Sequence, residues 1–377
     1  MRQARWWMVR TLALLVLGGL PTVAPAAAPE LEVAVVARGL NHPWSLAFLP
    51  DGGVLVTERA GRLRLLKDGE VRTIEGVPPV LAEGQGGLFD VLLHPRFPEN
   101  RLVYLSYAAG DRRANGTRVA VARLEGDRLA NLRIIWSAVP AKRGSVHFGG
   151  RMAWLPDGTL LVTTGDGFDR REDAQRLSSP LGKIIRIADN GGAPGDNPFA
   201  KEARALPTIW SLGHRNPQGL AYDPVRSAVF SHEHGPRGGD EVNRIEAGAN
   251  FGWPIATHGR DYSGATISPY TSYAGMVDPL HVWTPSIAPS GLAVYRGEMF
   301  PEWNGDLLVG GLVSRDVRRL RLDAMGRVLG ETSLLGDRRQ RIRDVRVAPD
   351  GAVWVTVDAA RGDVLRISRR ASLPAAD

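Results

Sequence analysis

His147 stands in GSVHFGGRM, and Asp166 follows one hairpin later in TTGDG. An imidazole with an ordinary pKa of about 6.5 can take a proton near neutral pH. The return strand of the hairpin would bring Asp166 back to the sheet edge that carries His147, where a carboxylate can orient the ring and stabilise its protonated form. A second dense segment runs from Leu212 to Pro254, as LGHRNPQGLAYDP, an apolar strand, and SHEHGPRGGDEVNRIEAGANFGWP. Arg215 and Asn216 precede its strand. Asp240 and Glu241 follow a Gly-rich turn, where carboxylates and backbone carbonyls suit a hard cation such as Ca²⁺. There is no EF-hand spacing, and His232 and His234 flank Glu233 without a third ligand at a zinc spacing. Each half taken singly reads equally well as a polar surface loop; the two together point to a site.

Further polar residues stand just ahead of apolar strands. Gln85 lies in EGQGGLFDV, and Arg341 and Arg343 lie in QRIRDV. Arginines at i and i+2 of an extended segment point to one side and form paired forks suited to carboxylates. The alternative for this motif is a pair of surface ion pairs to Asp337 and Asp344. Asp196-Asn197-Pro198 reads as a turn.

The elements that must position these residues recur six times. Apolar strand, Pro/Asp/Gly/Asn turn and second apolar strand repeat from Trp44, Gly87, Gly150, Gly219, Ser290 and Ile342. Each copy is a hairpin signature, and spacings of this size leave room for four strands per copy. The fold class is therefore all-β, a six-bladed β-propeller of four-stranded antiparallel blades. Two stacked β-domains would need a linker that the chain does not offer. Residues 31–36 are expected to join the last blade and close the ring. The organisation is a signal peptide over residues 1–28 and one propeller over 29–377.

The leader has a basic start (MRQARWWMVR), a short apolar run (TLALLVLGGL) and small residues fit for cleavage near Ala26–Ala28. It predicts export to the periplasm or beyond. No later run reaches the roughly 18 apolar residues of a membrane span, so no stable membrane insertion is expected after cleavage. There is no cysteine, hence no disulfide or lipid-modified cysteine. Removing Arg2, Arg5 and Arg10 with the leader takes the net charge from +7 to +4, and the remaining basic residues are mixed with acids rather than clustered. Nucleic acid is not an expected partner.

HFGGR with GDG, then LGHRNPQGLA, EHGPRGGDE, NFGWP, APSG and RIRDV, occur in one order along nearly the whole mature chain. This set resembles the soluble pyrroloquinoline quinone (PQQ)-dependent aldose sugar dehydrogenases, six-bladed propellers related to soluble quinoprotein glucose dehydrogenase. The resemblance implies oxidation of a small-molecule aldose at C1 to the lactone, with electrons passing to PQQ and on to an external acceptor. It implies that His147 is the general base, Asp166 its orienting partner, and Gln85, Arg215 and Asn216 contacts to cofactor or substrate. Arg341 and Arg343 match arginines that receive PQQ carboxylates. The carbonyls of Gly235 and Pro236, beside Asp240, match ligands of the Ca²⁺ that polarises PQQ. Glu241 and the carbonyl of Phe251 match a second Ca²⁺ site. Two positions depart from the pattern. Val313 stands where the family has a cofactor-contacting lysine, with Arg315 two residues on as a substitute charge. The aromatic residue that covers PQQ in the glucose enzyme has no match near Thr284, although Trp283 is adjacent.

Two other functions share this fold. A calcium-dependent lactonase would hold its metal with side-chain acids and Asn and would activate water. A noncatalytic extracellular binding propeller would have no need of the His, Asp and Arg set.

Overall fold

The computed structural model describes residues 29–370, so the signal peptide expected over 1–28 and residues 371–377 lie outside the described residues. Twenty-four strands form six four-stranded antiparallel sheets arranged as the blades of a propeller. The innermost strands are Pro43–Phe48, Leu88–Leu93, Met152–Trp154, Pro217–Asp223, Pro289–Val294 and Ile342–Val347, one from each sequence repeat. Each packs against the innermost strands of both neighbouring blades, so the ring is continuous. The second strand of a blade is covered on both faces. Val54–Glu58 and Leu160–Thr164 are accordingly buried at every residue, with apolar runs rather than alternation.

Chain ends meet in the last blade. Leu31–Leu40 pairs antiparallel with Gly362–Arg369 as its outermost strand, from Leu31 opposite Arg369 to Leu40 opposite Gly362. The strand extends four residues beyond the expected 31–36, through register shifts after Val35 and Ala37. Among the described residues no helix is long and apolar enough to cross a membrane.

Irregularities near the start of the inner strands aim side chains at the axis. Five of the six carry a register shift there: at Pro43/Ser45, Leu88/Val91, Pro217/Gly219, Pro289/Leu292 and Ile342/Asp344. A bulge inserts an unpaired residue and bends the strand, which re-aims what it carries. The extra residues include Trp44, Phe89, Gln218 and Arg343, and these four line one cavity on the axis.

Next along the same segments, three buried charges and the partly buried Arg346, from three blades, tie the ring together. Arg346 Nη2 donates to Asp90 Oδ1 (2.7 Å) and its Nε to Asp344 Oδ2 (2.9 Å). Arg151 Nη1 lies 2.8 Å from Asp344 Oδ1 and 3.7 Å from Asp90 Oδ1, ion-pair approaches rather than aligned hydrogen bonds. Its other nitrogens donate to the Gln218 and Arg343 carbonyls, and its guanidinium covers the Trp44 ring at 3.9 Å. The backbone N–H groups of Leu46 and Met152 complete Asp344 and Asp90.

Candidate active site

His147 and Asp166 meet as the hairpin requires. Imidazole Nδ1 is 2.7 Å from Asp166 Oδ1, with both side chains buried. The same carboxylate accepts from the Phe168 N–H (2.8 Å) and from Trp253 Nε1 (2.8 Å, to Oδ2). A carboxylate that only accepts fixes the proton on Nδ1 and leaves Nε2 as the basic nitrogen. Burial alone would raise the Asp166 carboxyl; the His147 hydrogen bond and charge, the Phe168 N–H and Arg215 together hold it below its ordinary value.

The backbone around the pair is tight. His147 itself adopts φ 53°, and a Cβ at Gly165 would sit 2.3 Å from its carbonyl oxygen. That approach requires the first glycine of TTGDG. The His147 N–H donates to Gln85 Oε1 (2.8 Å), so Gln85 holds the loop that carries His147.

Burial lowers the His147 pKa, and Arg215 and Lys142 add to this against the opposing pull of Asp166. Lys142 is buried with Nζ 3.8 Å over the Phe148 ring, and desolvation pushes it down to about 8. A lowered histidine pKa keeps the ring neutral at pH 7. If His147 is the base, the rate is on its plateau there and falls only as pH drops through a value below about 6.5. A pH profile of kcat/KM should show its acid limb below that value; a limb above it would mean that another group is the base.

Beside the pair lies a cavity of about 410 Å³, lined by His147, Arg215, Pro236, Trp253 and Tyr262 among others. The axial cavity, about 240 Å³, is lined by Gln85, Asn216, Gln218, Arg59, Arg341, Arg343 and Asp358. A mouth of about 850 Å³ shares Pro236 and Tyr262 with the first and His234, Ala288 and Val313 with the second. The three therefore form one funnel.

Positive charge exceeds negative in the axial cavity. Arg341 Nη2 reaches Asp358 Oδ2 at 3.3 Å and Arg343 Nη2 reaches it at 3.9 Å, so the two arginines share one carboxylate. Neither uses Asp337 or Asp344; the latter belongs to Arg151 and Arg346. Arg59 adds a third guanidinium and donates to the Gly84 carbonyl. The Arg343 pKa is pulled down to about 10, mainly by burial; Asp358 opposes this, and Arg151, Arg341 and Arg59 add to it. Such a pocket favours an anionic ligand with several carboxylates.

Arg215 is placed by Glu233, which sequence reasoning set aside. The Glu233 carboxylate accepts from the Arg215 and Asn216 N–H groups and pairs with His214 Nδ1 at 2.9 Å. Arg215 Nη1 then donates to the carbonyls of His234 (3.1 Å) and Gly235 (2.7 Å). Asn216 Oδ1 accepts from Gly149 N–H (3.3 Å) and Gln218 Nε2 (3.2 Å). His232 and His234 face the carbonyls of Gly291 and Pro289 on the next blade. Their role there is to join blades.

The turn expected to hold a cation is preorganised by Asp240. Its carboxylate accepts from the N–H groups of Gly235 (2.9 Å) and Ala288 (2.8 Å) and from the Ser286 hydroxyl. Asp240 thus shapes the loop, and Pro236 lines the funnel. A carbonyl-rich turn of this kind is an oxygen donor set suited to Ca²⁺. Glu241 and Phe251 line a separate cavity of about 10 Å³ with Glu233. The Glu241 carboxyl is pushed up to about 8, first by burial and then by Glu233, Asp240 and Asp278. Of these acids only Glu233 and Glu241 line the cavity, and Glu233 is occupied by His214 and the Arg215 and Asn216 N–H groups.

Val313 lines both the axial cavity and the mouth, whereas Arg315 is exposed and is not among the residues lining either. Arg315 adopts φ 59° beyond the strand Leu307–Gly311 and does not supply the wall's charge; Arg59, from the first blade, does. Trp283 is also not a cover. Its ring is buried in the blade with Nε1 3.1 Å from Glu331 Oε2, while Thr284 lines the mouth. Besides Glu233, sequence reasoning missed Trp253, Arg59, Gln218, Phe168 and Tyr262. The NFGWP motif contained Trp253 without any local cue that its indole would reach Asp166.

The chain matches the Glucose / Sorbosone dehydrogenase family over residues 40–366. It is 42% identical to the aldose sugar dehydrogenase YliI of Escherichia coli, over 92% of this chain and 95% of that protein. It is 26% identical to quinoprotein glucose dehydrogenase B of Acinetobacter calcoaceticus, over 90% and 88%. The PQQ-bound structure of an aldose sugar dehydrogenase from Streptomyces coelicolor superimposes with a TM-score of 0.72 at 29% identity, covering 90% of this chain and all of that one. With a histidine–carboxylate pair beside the funnel of a six-bladed propeller and the family match spanning nearly all the described residues, this chain belongs to the glucose/sorbosone dehydrogenase family.

Proposed function

We propose that this protein oxidises aldoses at C1 to lactones, using PQQ and Ca²⁺, after export to the periplasm or beyond. The observation that carries this proposal is a neutral, carboxylate-braced histidine set beside a pocket lined by three arginines, two of which share one aspartate. Arg341 and Arg343, with Arg59 beside them, would receive the carboxylates of PQQ, and the carbonyls of Gly235 and Pro236 would hold Ca²⁺ against it. When bound, Ca²⁺-polarised PQQ supplies the acceptor for the hydride from C1. The protein's own part is proton transfer. His147 Nε2 takes the proton of the C1 hydroxyl, so the sugar loses a hydride and a proton and becomes the lactone. Asp166 keeps the imidazole in the required tautomer and stabilises it once charged. Arg215 holds a guanidinium over the Trp253 ring at the cavity wall, placed to offset negative charge that develops on oxygen.

Arg343 tests the cofactor assignment most cleanly, being more buried than Arg341 (side chains 14% and 44% exposed). Losing a buried charged contact costs about 2 kcal/mol or more, which is roughly 30-fold or more in Kd. Titrating PQQ into the Ca²⁺-loaded protein by absorbance should show this weakening in Arg343→Gln. An unchanged Kd would remove Arg343 from the PQQ site.

A further inference from the structure

Two lysines are buried among the described residues, and their surroundings differ. Lys183 Nζ donates to the carbonyls of Asp173 (2.8 Å), Ala174 (3.0 Å) and Leu181 (2.7 Å), the full capacity of an ammonium group. Lys142 has far less. Its Nζ makes one long hydrogen bond, 3.4 Å to the Gly144 carbonyl, and that oxygen already accepts from Asn115 Nδ2 at 2.7 Å. Burial pushes Lys142 down to about 8, against the pull of Asp166 and Asp169, so the folded protein holds this proton more weakly than an exposed lysine would. At pH 7 the charge therefore costs stability. Methionine would fill the same space without that cost, and packing alone does not account for a lysine here.

The side chain lies behind the His147–Asp166 pair. Its backbone is pinned to Asn115, at the start of the strand Asn115–Glu125, by hydrogen bonds in both directions (2.8 and 2.9 Å). From that anchor the ammonium reaches 3.8 Å over the ring of Phe148, the residue after His147. Its stem passes Gly167, the residue after Asp166, where a Cβ would sit 2.7 Å from Lys142 Cδ. Lys142 is thus wedged between the loop that carries His147 and the loop that carries Asp166. Three charges act on the imidazole at close range: Asp166, Arg215 and Lys142. Asp169, Arg171, Glu172 and Asp261 line the same cavity further out. Arg215 is engaged with the His234 and Gly235 carbonyls, which leaves Lys142 as the cation with no other partner to hold.

We propose that Lys142 is a positioning residue for His147, holding one positive charge behind the His147–Asp166 pair so that the imidazole releases its proton after each oxidation; this rests on the aldose-oxidation reading above. The proton that Nε2 takes from the C1 hydroxyl must pass to water before the next sugar can react. Asp166 favours the imidazolium and by itself would hold that proton. A fixed positive charge nearby disfavours the imidazolium and returns the ring to its neutral form. Lys142 acts through His147 and touches neither sugar nor cofactor pocket, since it lines none of the funnel cavities.

The test uses Lys142→Met, which keeps the stem and removes the charge, and Lys142→Arg, which keeps the charge. Losing a neighbouring positive charge raises the His147 pKa. In the PQQ- and Ca²⁺-loaded enzyme the acid limb of kcat/KM should therefore move to higher pH in Lys142→Met and stay in place in Lys142→Arg. Denaturant unfolding should find Lys142→Met at least as stable as the wild type, which removal of a structural lysine would not give. NMR of ring-labelled histidine in the full chain reads the same charge without turnover, with the His147 signal identified by its loss in His147→Gln. In the wild type that signal should shift near pH 8 as Lys142 loses its proton. Lys142→Met should lack this step and titrate His147 at higher pH. An acid limb or a His147 titration that stays where it was in Lys142→Met, or a clear loss of stability, would overturn the proposal. If the wild type oxidises no aldose, the NMR titration decides alone: a moved signal keeps Lys142 as the charge behind the pair while the oxidation reading falls, and an unmoved one removes Lys142 as well.

Discussion

Replacing His147 by glutamine should lower kcat on aldoses by about 10²- to 10⁴-fold, the usual contribution of a positioned general base. Glutamine is close in length and can still hydrogen-bond to Asp166, so the loop, the fold and PQQ affinity should survive. The effect should fall on kcat and kcat/KM alike, because the proton leaves the sugar only on the way to the transition state. Dye-coupled turnover with PQQ and Ca²⁺ present, together with a PQQ titration, checks both halves. Turnover near that of the wild type would remove His147 as the base. Loss of PQQ binding along with turnover would instead make it a cofactor contact.

Local pattern reveals the blades because each is a hairpin with its own turn, and hairpins are written in contiguous sequence. The same logic makes His147 and Asp166 readable, since they bracket one hairpin and the return strand must bring them together. Arg341 and Arg343 also show as a pair, and Asp358 at the end of the next strand joins them by the same return. Contacts made by closing the ring are different. Trp253 meets Asp166 across 87 residues, and Arg59 enters the axial cavity from the far end of the chain. No spacing encodes such meetings. Bulges add a second obstacle: Gln218 and Arg343 face the axis because a strand gains a residue, which the alternation of apolar and polar positions does not announce. Asp240 has a structural use for a related reason. Asp240 looks like a ligand in sequence, but its carboxylate is spent on backbone N–H groups of its own turn and of the next blade.

Arg151→Met should be the most destabilising single change among those considered, costing about 3–5 kcal/mol, as expected when one partner of a buried ionic network is removed. Methionine fills a similar volume but leaves Asp90 and Asp344, both fully buried, with Arg346 as the one remaining cation of the four. The uncompensated charge is the main cost, and lost hydrogen bonds to the Gln218 and Arg343 carbonyls add to it. That origin can be separated from lost packing. Adding Asp344→Asn removes the surplus negative charge, so Arg151→Met with Asp344→Asn should be more stable than Arg151→Met alone. Simple loss of packing would make the double variant worse. Denaturant unfolding of the three proteins decides between these outcomes, and wild-type stability in the single variant would show that the network does not hold the ring closed. Because Arg151 also supports the Arg343 backbone, its loss should weaken PQQ binding in the folded protein as well. The axial charges that tie the blades together and the arginines that line the axial cavity are therefore adjacent layers of one structure, the first setting the position of the second.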